Sequence, residues 1–179
     1  SPYLGCEWLC AWAGHDGRRT RSRARGQNTV TDEQLIGEML YERDIAAFAA
    51  ADWSAVEGDF APDAFVGYSM DVATGTWQIA FPDLAGYGQD WLRQARAMQG
   101  TEPDQIVEQL RSISRIADVS IRGDRALVRK EFDGDANGPD GLVHLCWTTY
   151  YFLSRTSGRW QITGFVGYLP TPDGRLSVL

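Results

Sequence analysis

Apolar residues recur at helical spacing between Val30 and Ala51. Ile36, Leu40, Ala47 and Ala51 fall on one stripe at about 100° per residue, with Tyr41 and Phe48 on its flank. Thr31 reads as an N-cap, and Gln34 three residues on completes a capping box. The pattern predicts one helix from there to about Ala51. Asp44 interrupts the apolar stripe. It is the sharpest anomaly in the chain, because burying a carboxylate is costly unless it is paired or neutral. Asp52 is placed to cap a short helix over 53–58. The run 65–70 reads as a strand, and a loop through Gly75 and Pro82 follows. Asp83 caps a further helix, with Leu84, Tyr87, Trp91, Ala95 and Met98 at helical spacing and Gly100 at its end.

The second half reads as strands. Segments 113–121 and 125–132 flank Gly123-Asp124, a two-residue hairpin signal. That register sets Val119 against Val128 and Asp118 against Arg129. A polar loop over 133–141 leads into a strand over 142–155, and Ser157-Gly158 turns it into a last strand over 160–169. Helices first and an antiparallel meander afterwards make an α+β pattern: a curved sheet with helices packed on one face.

Composition narrows this picture. The chain has 179 residues, 44% of them hydrophobic, which suits one well-packed domain. Its net charge of −7 is unevenly spread. Residues 1–28 carry Arg18, Arg19, Arg21, Arg23 and Arg25 against Glu7 and Asp16. They are expected to form a flexible Arg-rich tail, with 29–179 as the single domain. The acidic body speaks against a nucleic-acid partner, since phosphates need a basic footprint. No apolar run approaches the roughly 20 residues that span a bilayer. The early Trp/Cys stretch is followed, not preceded, by basic residues, so it does not read as a signal peptide. No membrane partner and a cytoplasmic location are therefore expected. Three cysteines, Cys6, Cys10 and Cys146, make no disulfide framework. Cys6, Cys10 and His15 lack a fourth ligand at zinc spacing. Lys130 is the only lysine, a bias that reads as compositional.

Four short motifs recur in a familiar order: Ala51-Asp52-Trp53, Asp59-Phe60-Ala61-Pro62-Asp63-Ala64, Gly123-Asp124-Arg125-Ala126 and Gly158-Arg159-Trp160-Gln161-Ile162. Together they resemble the SnoaL-like branch of the nuclear transport factor 2-like superfamily, over roughly residues 30–170. The resemblance implies a cone-shaped, strongly bent antiparallel sheet wrapped around the long N-terminal helix, with an apolar pocket open at one end. It also implies a homodimer formed through the outer face of the sheet. Superfamily members include isomerases, cyclases, dehydratases, epoxide hydrolases and non-catalytic domains, so function rests on the pocket residues. Carried over by the motifs, the ketosteroid isomerase base falls at Tyr68 and its helix-borne tyrosine at Asp44. Neither side chain matches.

The candidate chemistry follows from these positions. Asp44 is the leading acid or base, and Asp71 and His144 are candidate partners. Tyr68 and Tyr41 are candidate hydroxyl donors to a substrate oxygen. Tyr41, Trp53 and Trp77 are the candidate substrate contacts, with Asp71 and Trp77 expected in a loop bordering the cone mouth. The last hairpin register favours an outward-pointing His144. Asp133-Gly-Asp135-Ala-Asn137-Gly138 matches the opening of a calcium loop, but His144 stands at its twelfth position and a plain turn explains the residues better. There is no phosphate loop, paired metal-spaced histidine or serine elbow, so no cofactor or metal is expected. The reading is a small-molecule pocket protein performing cofactor-independent acid/base chemistry on an apolar ligand. The alternative is a non-catalytic, homodimeric binding or accessory domain.

Overall fold

The computed structural model describes residues 30–98, 100–138 and 141–178. The expectations for residues 1–28, including Cys6, Cys10 and His15, lie outside the described residues. Thr31 starts helix α1 (Asp32–Gly37) through the predicted capping box: its hydroxyl accepts from Gln34 N at 3.2 Å, and Gln34 Oε1 accepts from Thr31 N at 2.8 Å. The helix does not continue as one α-helix. A π-helical segment, Glu38–Arg43, separates α1 from α2 (Asp44–Ala50). The wider π turn changes the phase of every side chain after it. The buried residues are therefore Ile36 before the π segment, Met39 and Leu40 within it, and Ile45, Ala47 and Ala49 after it, not the single predicted stripe. Ala51 ends α2 in the left-handed conformation, φ 51°.

Two 3₁₀ turns, Trp53–Ala55 and Glu57–Asp59, replace the short helix expected after Asp52. Asp52 accepts from the Ser54 hydroxyl at 2.6 Å and makes no cap to the backbone. Strand β1 (Val66–Asp71) is followed by a second strand, β2 (Thr76–Phe81), where a loop was expected. Asp83 caps α3 (Leu84–Ala97) by accepting from Gly86 N at 2.8 Å, as the sequence implies. Helix α4 (Pro103–Ile113) was not anticipated. Proline near its start suits the first turn, where an N–H would be unpaired. Its Ile106, Leu110 and Ile113 pack against Ile45 and Ala49 of α2.

The remaining strands are β3 (Ser114–Arg122), β4 (Arg125–Gly138), β5 (Gly141–Thr156) and β6 (Arg159–Leu169). The β3–β4 register pairs Val119 with Val128 and Asp118 with Arg129, as expected. At the next hairpin the expectation fails. The segment read as a polar loop is ladder: Asp133 pairs with Cys146, Asp135 with His144 and Asn137 with Leu142. An extended ladder holds successive side chains on opposite faces, so this segment does not form the turn of a calcium loop. Ser157 and Gly158 both take positive φ, 53° and 79°, the geometry of a tight hairpin turn.

The sheet order is β2-β1-β6-β5-β4-β3. It is mixed and not wholly antiparallel, because β1 runs parallel to β6. Val66 and Gly164 meet there so closely that a Cβ on Gly164 would lie 2.3 Å from Val66 O. Register shifts in β1–β2, β3–β4 and β5–β6 bend the sheet, since a bulge curves the strand that carries it. The helices pack into the concave face. Among the described residues no helix is long and apolar enough to cross a membrane.

Candidate functional site

The space between the helices and the sheet is not filled. A cavity of about 140 Å³ lies between α2, α3 and the inner faces of β4, β5 and β6. Its walls are mainly aromatic, with Phe132 stacked on Trp147 at 4.4 Å on one side and Tyr87 against Phe165 at 5.2 Å on another. Rings of this kind present flat, weakly hydrated surfaces.

One ion pair is set into that apolar wall. Lys130 Nζ donates to Asp44 Oδ2 at 3.0 Å and to Leu40 O at 2.7 Å. The Lys130 side chain is only 1% exposed, and that of Asp44 is 28% exposed. Each residue reaches the site for a local reason. On β4, Ala126, Val128 and Lys130 alternate on the inward face, so the lysine stands where an apolar residue would ordinarily stand. On the helix side, the π segment departs from α geometry around Leu40. The amide of Asp44 bonds to Met39 O and Tyr41 O, not to Leu40 O as an α-helix requires. Leu40 O then receives the ammonium proton. The Phe132 ring lies 5.2 Å from Nζ, and Trp91 Nε1 donates to Asp44 Oδ1 at 3.4 Å. An ammonium offers three donors, and two of Lys130's are engaged.

A second polar group lines the same cavity. Gln94 Nε2 donates to Asp90 Oδ2 at 2.6 Å, and Arg93 Nε donates to Asp90 Oδ1 at 3.1 Å. Burial pushes the Tyr168 phenol up, while its hydrogen bond to Gln94 pulls the other way. Tyr168 has φ 56°, a conformation uncommon for an aromatic residue. Burial also pushes Tyr151 and Tyr87 well above the usual phenol range, and the charge of Asp44 adds to both shifts. Their hydroxyls are neutral at ordinary pH.

Of the seven candidate residues read from the sequence, Asp44 alone lines this cavity. Tyr41 turns to α4, donating its hydroxyl to Arg111 O at 2.9 Å. Tyr68 is exposed and stacks on Trp77 at 5.6 Å. Trp77 therefore belongs to strand β2, not to a loop at the mouth. Asp71 Oδ1 accepts from Ala73 N at 2.9 Å and closes the β1–β2 turn. Trp53 packs between Phe60, Tyr87 and Trp91. His144 points outward, with Nδ1 2.8 Å from Asp135 and Nε2 3.3 Å from Asp133. Asp133, His144 and Cys146 bring ligand-type atoms within 4.8 Å of one another, but Arg175 donates to Asp133 Oδ2 at 2.7 Å there. A guanidinium already neutralises that cluster.

The partner of Asp44 is what the sequence reading missed. Lys130 reads as compositional when counted alone, yet a lone lysine in phase with Ala126 and Val128 is a charged residue on a buried face. Asp90, Gln94 and Tyr168 had no comparable signal, since polar residues on α3 and at the end of β6 also suit solvent.

No protein-family model matches the chain, and no curated protein matches it. Solved structures do. An NTF2-like protein of unknown function from Shewanella baltica OS155 matches 79% of this chain and 96% of its own, at 16% identity and a TM-score of 0.53. A domain of unknown function with a cystatin-like fold from Nostoc punctiforme matches 80% of each chain at 13% identity, TM-score 0.55. A protein provisionally named as an aromatic ring hydroxylase from Novosphingobium aromaticivorans matches 84% of this chain and 95% of its own at 20% identity, TM-score 0.56. The bent six-stranded sheet closed by helices over an aromatic cavity is thus the nuclear transport factor 2-like, cystatin-like fold, and this chain has it.

Proposed function

We propose that the protein binds a small, largely apolar carbonyl compound in the α2–α3–sheet cavity and moves a proton at the carbon beside the carbonyl. The observation that carries this reading is the Asp44–Lys130 pair, 3.0 Å apart, in a cavity wall rich in aromatic residues. Asp44 is the acid and base. Lys130, whose ammonium donates two hydrogen bonds among the described residues, offsets the negative charge that gathers on the carbonyl oxygen as the proton leaves. Excluding water strengthens that electrostatic contribution. The reaction belongs with isomerisation, dehydration or cyclisation, and it needs no cofactor. The motif resemblance to the SnoaL-like branch supports the same class.

Acetophenone tests the reading. In deuterium oxide the protein should exchange the methyl protons of acetophenone, followed by proton NMR. Asp44→Asn should lower the rate about a hundredfold or more, the usual share of a positioned acid/base, with an unchanged circular dichroism spectrum. Exchange at the wild-type rate in that variant would sink the mechanism.

A second reading, a homodimeric binding domain without catalysis, is favoured by one feature of the outer face. Leu127, Phe152 and Val66 are exposed in a single row across the sheet, and Tyr68, Trp77 and Ile79 continue it. A dimer in light scattering together with no exchange in any ring-bearing ketone would favour it over the first.

A further inference from the structure

The Asp44–Lys130 pair offers more than charge. We propose that Lys130 is a nucleophile, and that its ε-amine condenses with an aromatic aldehyde or ketone held in the cavity to give an imine. The inference rests on the carbonyl-binding reading above and gives Lys130 a covalent role in place of the counter-charge to the carbonyl oxygen.

Three observations carry it. Lys130 lines the cavity while its side chain is 1% exposed, so bulk water has little access to a bond formed at Nζ. A carboxylate oxygen lies 3.0 Å from Nζ, where the proton that an ammonium must lose can be taken up and returned. Leu40 O holds the same nitrogen at 2.7 Å, fixing its position against the aromatic wall. A lysine with no task beyond neutralising Asp44 is replaceable by an apolar pair at little cost or some gain in stability.

The step balances within these groups. The ammonium passes one proton to Asp44. The neutral amine forms the N–C bond as the carbonyl π bond breaks, and one N–H proton moves to the oxygen. Asp44 returns its proton to that hydroxyl, which leaves as water as the C–O bond breaks. The nitrogen keeps its last proton. An iminium then stands beside the Asp44 carboxylate in place of the ammonium, so the pair's charges are the same before and after. An iminium also acidifies the neighbouring carbon, where Asp44 works. No oxidant or reductant is involved, and the single by-product is water.

The chain has one lysine, so trapping is unambiguous. The full chain is incubated with benzaldehyde and sodium cyanoborohydride at neutral pH, then analysed by intact mass and peptide mapping. The expected result is one benzyl group on Lys130, formed before the chain's terminal amine is modified. Asp44→Asn should slow the labelling about a hundredfold, and Lys130→Arg should abolish it while keeping the cation. Quenching of tryptophan fluorescence by benzaldehyde reports occupancy independently, since Trp91 and Trp147 line the cavity. Terminal-amine labelling with Lys130 unmodified overturns the inference. If quenching persists in that case, the carbonyl-binding reading stands without the covalent step. If quenching is absent as well, both fall. Wild-type mapping decides the matter even if a variant does not fold.

Discussion

Replacing Lys130 with methionine removes a cation whose absence the surroundings cannot make good. Lys130 is 1% exposed and supplies two hydrogen bonds, one to the Asp44 carboxylate and one to Leu40 O. Removing one member of a buried ion pair typically destabilises by about 3–5 kcal/mol, because the other charge is left uncompensated. Two features set the value at the lower end. Asp44 is 28% exposed, so solvent screens part of its charge, and Trp91 Nε1 still donates to it. Methionine also fills most of the vacated volume with apolar atoms. Lys130→Met should therefore cost about 3 kcal/mol, over a hundredfold in the folding equilibrium. Urea denaturation followed by far-UV circular dichroism reads this directly. The informative comparison is the double-mutant cycle with Asp44→Leu. If the pair is coupled as the geometry implies, Lys130→Met combined with Asp44→Leu is more stable than Lys130→Met alone, because no orphaned carboxylate remains. A loss below about 1 kcal/mol for Lys130→Met, in the range of exposed pairs, would refute the reasoning. So would additive effects in the double variant.

Two further outcomes follow from packing and titration. At Gly88 a Cβ would lie 2.8 Å from the rigid Trp53 ring, so Gly88→Ala should destabilise by about 1–3 kcal/mol in the same urea assay as α3 is forced away from the Trp53 turn. Tyr87 and Tyr151 have phenols held above the ordinary value, chiefly by burial. Because the folded value is raised, their contribution is complete below the unfolded pKa of about 10 and is lost as pH rises above it. Absorbance at alkaline pH should show these two tyrosines ionising only as the native circular dichroism signal disappears, and Tyr151→Phe should reduce the amplitude of that late step.

The elements with local signals were the ones legible in the chain. The Thr31 capping box, the Asp83 cap and the Gly123-Asp124 hairpin rest on contacts a few residues apart, and all are present. Strand β2 was hidden because Gly75 and Pro82 bracket it like a loop, and its residues lie mostly exposed at the sheet edge. Helix α4 carries a pattern of its own, Ile106, Leu110 and Ile113 at helical spacing, but it is short and runs directly into the apolar positions of β3. The long β4–β5 ladder was masked by Asp, Asn and Gly residues that serve turns equally well. At the site, Asp44 announced itself as a charge in an apolar stripe. Lys130 bears the same mark on a strand of period two. Two buried-face charges of opposite sign, one on a helix and one on a strand, point to each other. That inference needs both anomalies to be seen, and the phase change at Glu38–Arg43 is invisible to a fixed helical period.

That π-helical segment sets stability against utility. A helix of uniform α geometry over the same residues 32–50 would retain every i→i−4 bond. Each later side chain would then turn by about 100° around the axis. The position of Asp44 opposite Lys130 would then pass to a neighbour. Such a helix would be more regular and its polar centre dismantled, so selection for thermostability alone would erase the π segment and selection for the Asp44–Lys130 pair would keep it.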